Sequence, residues 1–66
     1  MRVVANGKDV TLPDGASVGV LVEALGLTGR LLLIERNGEP VERDAIVSTP
    51  LREGDRVELV RAVAGG

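Results

Sequence analysis

The sequence predicts an α+β domain in which one helix packs across a mixed sheet of four to five strands. Three observations predict it. Val-rich segments flank Asn6-Gly7, the strongest short hairpin signal. Val18, Leu21, Val22 and Leu25 recur at i, i+3, i+4 and i+7, one face of a helix. After the turn Glu53-Gly54-Asp55, the run from Arg56 to Arg61 alternates, with Val57 and Leu59 inward and Arg56 and Glu58 outward.

Each element follows in order. Met1 to Ala5 reads as a first strand, and Asp9 to Leu12 as its hairpin partner, with Val10 and Leu12 on one face and Thr11 on the other. Pro13-Asp14-Gly15 ends that strand. Ser17 suits the helix N-cap because its hydroxyl can accept from a free backbone N–H, and Gly26 suits the stop. Gly19 weakens the helix, so packing has to hold it. Leu31-Leu32-Leu33-Ile34 is a short continuous apolar run, the pattern of a buried strand. Asn37-Gly38 predicts a second turn, and Pro40 keeps the next strand short or at an edge because it lacks a ladder donor. Residues 41–47 are expected to hold a brief strand and a helical turn.

The 66 residues allow one domain. The chain has no Cys and no His, so disulfides and the usual zinc and haem ligands are excluded, and no metal site is expected. The fold rests on aliphatic burial, for which 44% hydrophobic residues supply the material. There are no aromatic residues on which to stack bases, and the formal net charge is −2, so no nucleic-acid partner is expected. No apolar run approaches the roughly 20 residues of a membrane span. Met1-Arg2-Val3-Val4 leads straight into strand-like sequence with no signal-peptide pattern, so the protein reads as cytoplasmic, without a membrane partner.

Catalytic groups are scarce. No nucleophile–imidazole pair or thiolate can form. The carboxylates Glu39 and Glu42, and Glu53 and Asp55, lie beside turns and read as solvated loop acids. The apolar run has two readings. Its second face is either covered by a loop or open as a partner-docking patch of Leu31 and Leu33, joined by Val60 on the last strand.

The C-terminal residues Ala62-Val63-Ala64-Gly65-Gly66 carry no bulky or charged side chain. Such an end fits a frayed terminus. It also fits a thin peptide that enters a narrow channel and presents the carboxylate of Gly66. That carboxylate is ionised at neutral pH, with an ordinary pKa of about 3.5. As an anion it resists attack at carbon, and joining it to AMP would supply a leaving group.

Together these residues resemble the thiamine-biosynthesis sulfur-carrier family (ThiS), which is ubiquitin-like and has the β-grasp fold. The resemblance covers nearly the whole chain. It rests on the Asn6-Gly7 turn, the helix from Val18 to Leu25, the stretch from Leu33 through Asn37-Gly38-Glu39-Pro40 to Val41, and Gly54-Asp55 before a last strand running into Val63-Ala64-Gly65-Gly66. It implies a β-grasp domain over residues 1–61 and a flexible tail over 62–66, with Ala62, Val63, Ala64 and Gly65 as the part that threads a partner. It further implies a cycle at Gly66. An ATP- and Mg²⁺-dependent activating enzyme adenylates the terminal carboxylate. Sulfur from a cysteine desulfurase or another persulfide donor displaces AMP and leaves a thiocarboxylate. Thiazole synthase then receives the sulfur. The chain would be a co-substrate and not an enzyme, and it would bind no cofactor of its own. Related carriers for tRNA thiolation and molybdopterin synthesis share the tail. The Asn37–Val41 stretch favours thiamine, and a plain interaction module with an inert tail is the competing reading.

Overall fold

The computed structural model describes residues 1–62. Its strands are β1 (Arg2–Ala5), β2 (Lys8–Thr11), β3 (Leu32–Arg36), β4 (Glu39–Pro40) and β5 (Arg56–Arg61), and its helix α1 spans Val18–Ala24. They form a five-stranded sheet in the order β2-β1-β5-β3-β4. β1 and β5 are parallel, and the β1–β2, β3–β5 and β3–β4 pairs are antiparallel, so the sheet is mixed as expected. The last strand in sequence therefore occupies the centre, hydrogen-bonded on both edges.

Period-two alternation sorts the sheet into two faces. Val3 and Ala5 of β1, Ile34 of β3, and Val57 and Leu59 of β5 are buried with Val18, Leu21 and Val22 of α1 in one core cluster. Those helical positions are the ones that the i, i+3, i+4 spacing selects, with Leu25 packed at the margin. Ser17 caps the helix, its Oγ accepting from Val20 N–H. Val18 N–H donates to Thr49 O and Gly19 N–H to Ile46 O, so the first free donors of α1 are satisfied by the connection after β4. That approach explains Gly19. A Cβ there would lie 3.3 Å from Val47 Cα, tighter than most such contacts, with Ile46 O in ordinary contact at 3.5 Å.

Two details differ from the sequence reading. The short strand is Glu39–Pro40, ahead of residues 41–47, where the expected helical turn forms as a 3₁₀ turn at Arg43–Ala45. Pro40 pairs with Glu35 on the outermost strand, where a missing N–H costs no ladder bond, and Val41 N–H still donates to Ile34 O at 2.8 Å. The Leu31–Ile34 run is not buried throughout. Ile34 is buried, whereas Leu33 is exposed because it points away from the helix.

Candidate functional site

The site is built around β5, the strand that leads to the C-terminal residues. β1 holds one edge and β3 the other. The two Asn-Gly turns add side-chain clamps. Asn6 and Asn37 adopt φ of 50° and 52°, and Gly7 and Gly38 follow at 81° and 84°, the doubly left-handed geometry of a tight hairpin turn. Asn tolerates that geometry and also carries a donor and an acceptor. Asn6 Nδ2 donates to Leu59 O at 3.1 Å, and its Oδ1 accepts from Leu59 N–H at 2.8 Å. Asn37 Oδ1 accepts from Arg56 N–H at 2.9 Å. Each turn thus grips β5 from a different neighbouring strand.

Asp55 locks the entry to β5. It is only 7% exposed, so its reading as a solvated turn acid is corrected. Its carboxylate accepts from Arg36 Nε at 2.9 Å, from Asn37 Nδ2 at 3.0 Å and from Arg52 N–H at 2.8 Å. Burial works to raise its pKa. The hydrogen bonds from Asn37, the Arg52 backbone and Arg36, with the Arg36 charge, outweigh burial and hold the carboxyl below 3.8. Its neighbour Glu53 stays at the surface and accepts from Arg2 N–H at 2.9 Å. Glu39 and Glu42 are exposed, as expected.

Beyond β5 the ladder continues for one more bond: Ala62 N–H donates to Leu31 O at 2.9 Å. Ala62, expected as the first residue of the tail, is thus still tied to the strand beside it. Val63, Ala64, Gly65 and Gly66 lie outside the described residues, and with them the expected reactive carboxylate.

The outer sheet face carries the other expected residues. Leu33 stands opposite Val60 in the β3–β5 register, and they are 66% and 59% exposed. Leu31, two residues before Leu33, is 47% exposed. The structure brings all three to one open face, and no loop among the described residues covers it. A shallow groove of about 590 Å³ lies here, lined by Leu33, Ile34, Pro40, Val41, Glu58 and Val60 among others.

Among the described residues no group of three or more acidic, His or Cys side chains could hold a metal ion, and no helix is long and apolar enough to cross a membrane. What the arrangement offers is a rigid, doubly anchored strand delivering the chain end beside an open apolar face. The Asn clamps and the Asp55 lock were not found as such from sequence. The pairing of each Asn with Gly was the available signal.

Comparison with known proteins gives a consistent picture. The model of the ThiS family matches residues 1–66. A curated relative, the thiazole synthase of Paramagnetospirillum magneticum (strain ATCC 700264 / AMB-1), is 30% identical over 66 residues. All of this chain is matched, yet it spans only 20% of that relative's length. The crystal structure of a thiamine biosynthesis protein (ThiS) from Geobacter metallireducens superposes with a TM-score of 0.83 at 33% identity, covering 100% of both chains. An NMR solution structure of a thiamine biosynthesis protein from the same organism gives 0.78 at 33% identity, covering 100% of this chain and 88% of the other.

Proposed function

The chain belongs to the ThiS family, and from that premise we propose that it is a sulfur carrier for the thiazole moiety of thiamine, loaded at the carboxylate of Gly66. The observation that carries the reading is the full-length ThiS match combined with a β-grasp fold whose central strand β5 runs into Ala62-Val63-Ala64-Gly65-Gly66.

The chemistry needs little from the carrier itself. A carboxylate oxygen of Gly66 attacks the α-phosphorus of ATP in the activating enzyme, and pyrophosphate leaves. The mixed anhydride makes the carbonyl carbon electrophilic. The terminal sulfur of a persulfide, supplied by a cysteine desulfurase or another donor, attacks that carbon and AMP departs. A thiol cleaves the resulting acyl disulfide and is itself oxidised to a disulfide, which leaves the thiocarboxylate. Thiazole synthase then takes the sulfur and returns the carrier. Magnesium and the phosphate-binding groups belong to the activating partner.

This chain contributes presentation. β5 is held by β1, β3, Asn6, Asn37 and the Asp55 lock, so the peptide enters its partner from a fixed point near Ala62. Two terminal glycines carry no Cβ to obstruct a narrow channel. The absence of Cys is compatible with sulfur travelling on the carbonyl of Gly66.

Deletion of Gly65-Gly66 tests the reading. In a cell lacking its own carrier, the parent chain should restore growth without thiamine and the truncated chain should not. Restoration by the truncated chain would leave the domain as an interaction module with an inert tail.

A further inference from the structure

The two Asn-Gly dipeptides that turn this chain are also its most reactive peptide sequences. Asparagine is a thermolabile residue, and a following glycine has no side chain to shield its nitrogen from the asparagine amide. In the reaction the glycine N–H gives its proton to a solvent base and the nitrogen attacks the asparagine Cγ. Ammonia leaves, a five-membered succinimide forms, and water reopens it to aspartate or isoaspartate. At both turns the attacking nitrogen is available. Among the described residues neither Gly7 N–H nor Gly38 N–H donates to a backbone carbonyl, and a Cβ on either glycine would meet only open space. The restraint lies on the amide. That of Asn6 is fixed through both its polar atoms to the backbone of Leu59, inside β5. That of Asn37 is fixed to Asp55 Oδ1 and to Arg56 N–H, at the entry to the strand. Its carbon is free to turn toward Gly38 once both bonds break.

We propose that Asn37 is a latent modification site, closed to deamidation by its bonds to Asp55 and Arg56, and that its conversion to a carboxylate releases the entry to β5. The nitrogen that donates to Asp55 Oδ1 at 3.0 Å would be replaced by an anionic oxygen facing another. Like charges at that separation repel, and Arg36 is already engaged with Asp55 Oδ2 at 2.9 Å. Asn6 is the internal reference, with the same dipeptide and the same left-handed backbone but bonds to Leu59 in place of Asp55. The site is independent of what the chain end carries, so its failure leaves the carrier reading untouched.

The test holds the full chain in mildly alkaline buffer, folded or in urea, and follows both dipeptides by peptide mapping with mass spectrometry. Two hydrogen bonds of ordinary net strength should slow each folded site by about 10- to 100-fold relative to the unfolded chain. Asp55→Ala removes one bond at Asn37 and none at Asn6, so the ratio of Asn37 to Asn6 rates should rise at least about fivefold. Val22→Ala weakens the core without touching either turn, and should leave that ratio within about twofold of the parent's. If circular dichroism shows Asp55→Ala to be unfolded, Asp55→Asn replaces it; its neutral oxygen is a weaker acceptor and should raise the ratio at least about twofold. Asn37→Asp should melt at least about 4 °C below the parent at neutral pH. Equal Asn37 rates in the folded and the urea-unfolded parent overturn the proposal. So does a ratio that the folded Asp55 variant raises no more than Val22→Ala does. An Asn37→Asp midpoint equal to the parent's overturns the release of β5.

Discussion

Replacing Asp55 by Ala should cost this small domain about 3 kcal/mol. The substitution removes three acceptor contacts, from Arg36 Nε, Asn37 Nδ2 and Arg52 N–H. A net hydrogen bond contributes about 1 kcal/mol, and one to a charged group about 1.5–3. Counted at about 1–2 kcal/mol each, the three together give roughly 3–6 kcal/mol before relaxation. The Arg36 side chain is 29% exposed and can recover water, which pulls the expectation to the low end. For a domain of this size about 1 kcal/mol moves the thermal midpoint by roughly 4–8 °C, so the variant should melt some 12–24 °C lower. Intrinsic fluorescence is blind here because the chain has no Trp or Tyr. Urea unfolding followed by far-ultraviolet circular dichroism is the suitable assay, with Glu53→Ala as control. Glu53 makes one exposed contact, so its loss should cost about 1 kcal/mol or less. An Asp55→Ala loss no larger than the control's would refute the idea that Asp55 locks the entry to β5.

Acid should expose the same lock. The folded pKa of Asp55 lies below 3.8, so its contribution is complete above that value and disappears as pH falls through the folded one. The stability gap between the parent and Asp55→Asn should narrow as pH drops below 3.8, and urea midpoints at neutral and acid pH check this. Asn6→Gly keeps the positive φ but loses both bonds to Leu59, at a cost of about 1–3 kcal/mol. Asn6→Ala adds strain from the left-handed backbone and should lose about 1 kcal/mol more, so the order of the two variants in denaturant separates clamp from turn. Gly19→Ala should fail to deliver the roughly 1 kcal/mol that helix propensity promises, because the new Cβ meets Val47 Cα at 3.3 Å. A clear rise in its thermal midpoint would contradict that contact.

Local patterning made most of the framework legible. The helix face, both hairpin turns and the alternation of β5 depend on residues close in sequence, where the periods of helix and strand act directly. What escaped depends on distant partners. Asn6 grips Leu59 across a separation of 53 residues, and Asp55 meets Arg36 across 19. A turn asparagine and a turn aspartate look solvated until the sheet order puts β5 between β1 and β3. The apolar run left two readings open, and the structure decides between them. Four consecutive aliphatic residues suggest burial on both faces, yet among the described residues the sheet has a helix on one side only, so Leu33 remains open while Ile34 is buried. Of the candidate site, Leu31, Leu33, Val60 and Ala62 fall in the described fold. The residues from Val63 to Gly66 were singled out by composition and family likeness alone.

In the proposed cycle sulfur replaces an oxygen on the terminal carboxylate of Gly66. Intact mass spectrometry measures this directly, after incubation of the chain with ATP, Mg²⁺, the activating enzyme, a persulfide donor and a thiol. The loaded chain should gain the mass difference between sulfur and oxygen, localised to the C-terminal peptide and absent without ATP. An unchanged mass, or a gain that survives deletion of Gly65-Gly66, would contradict it.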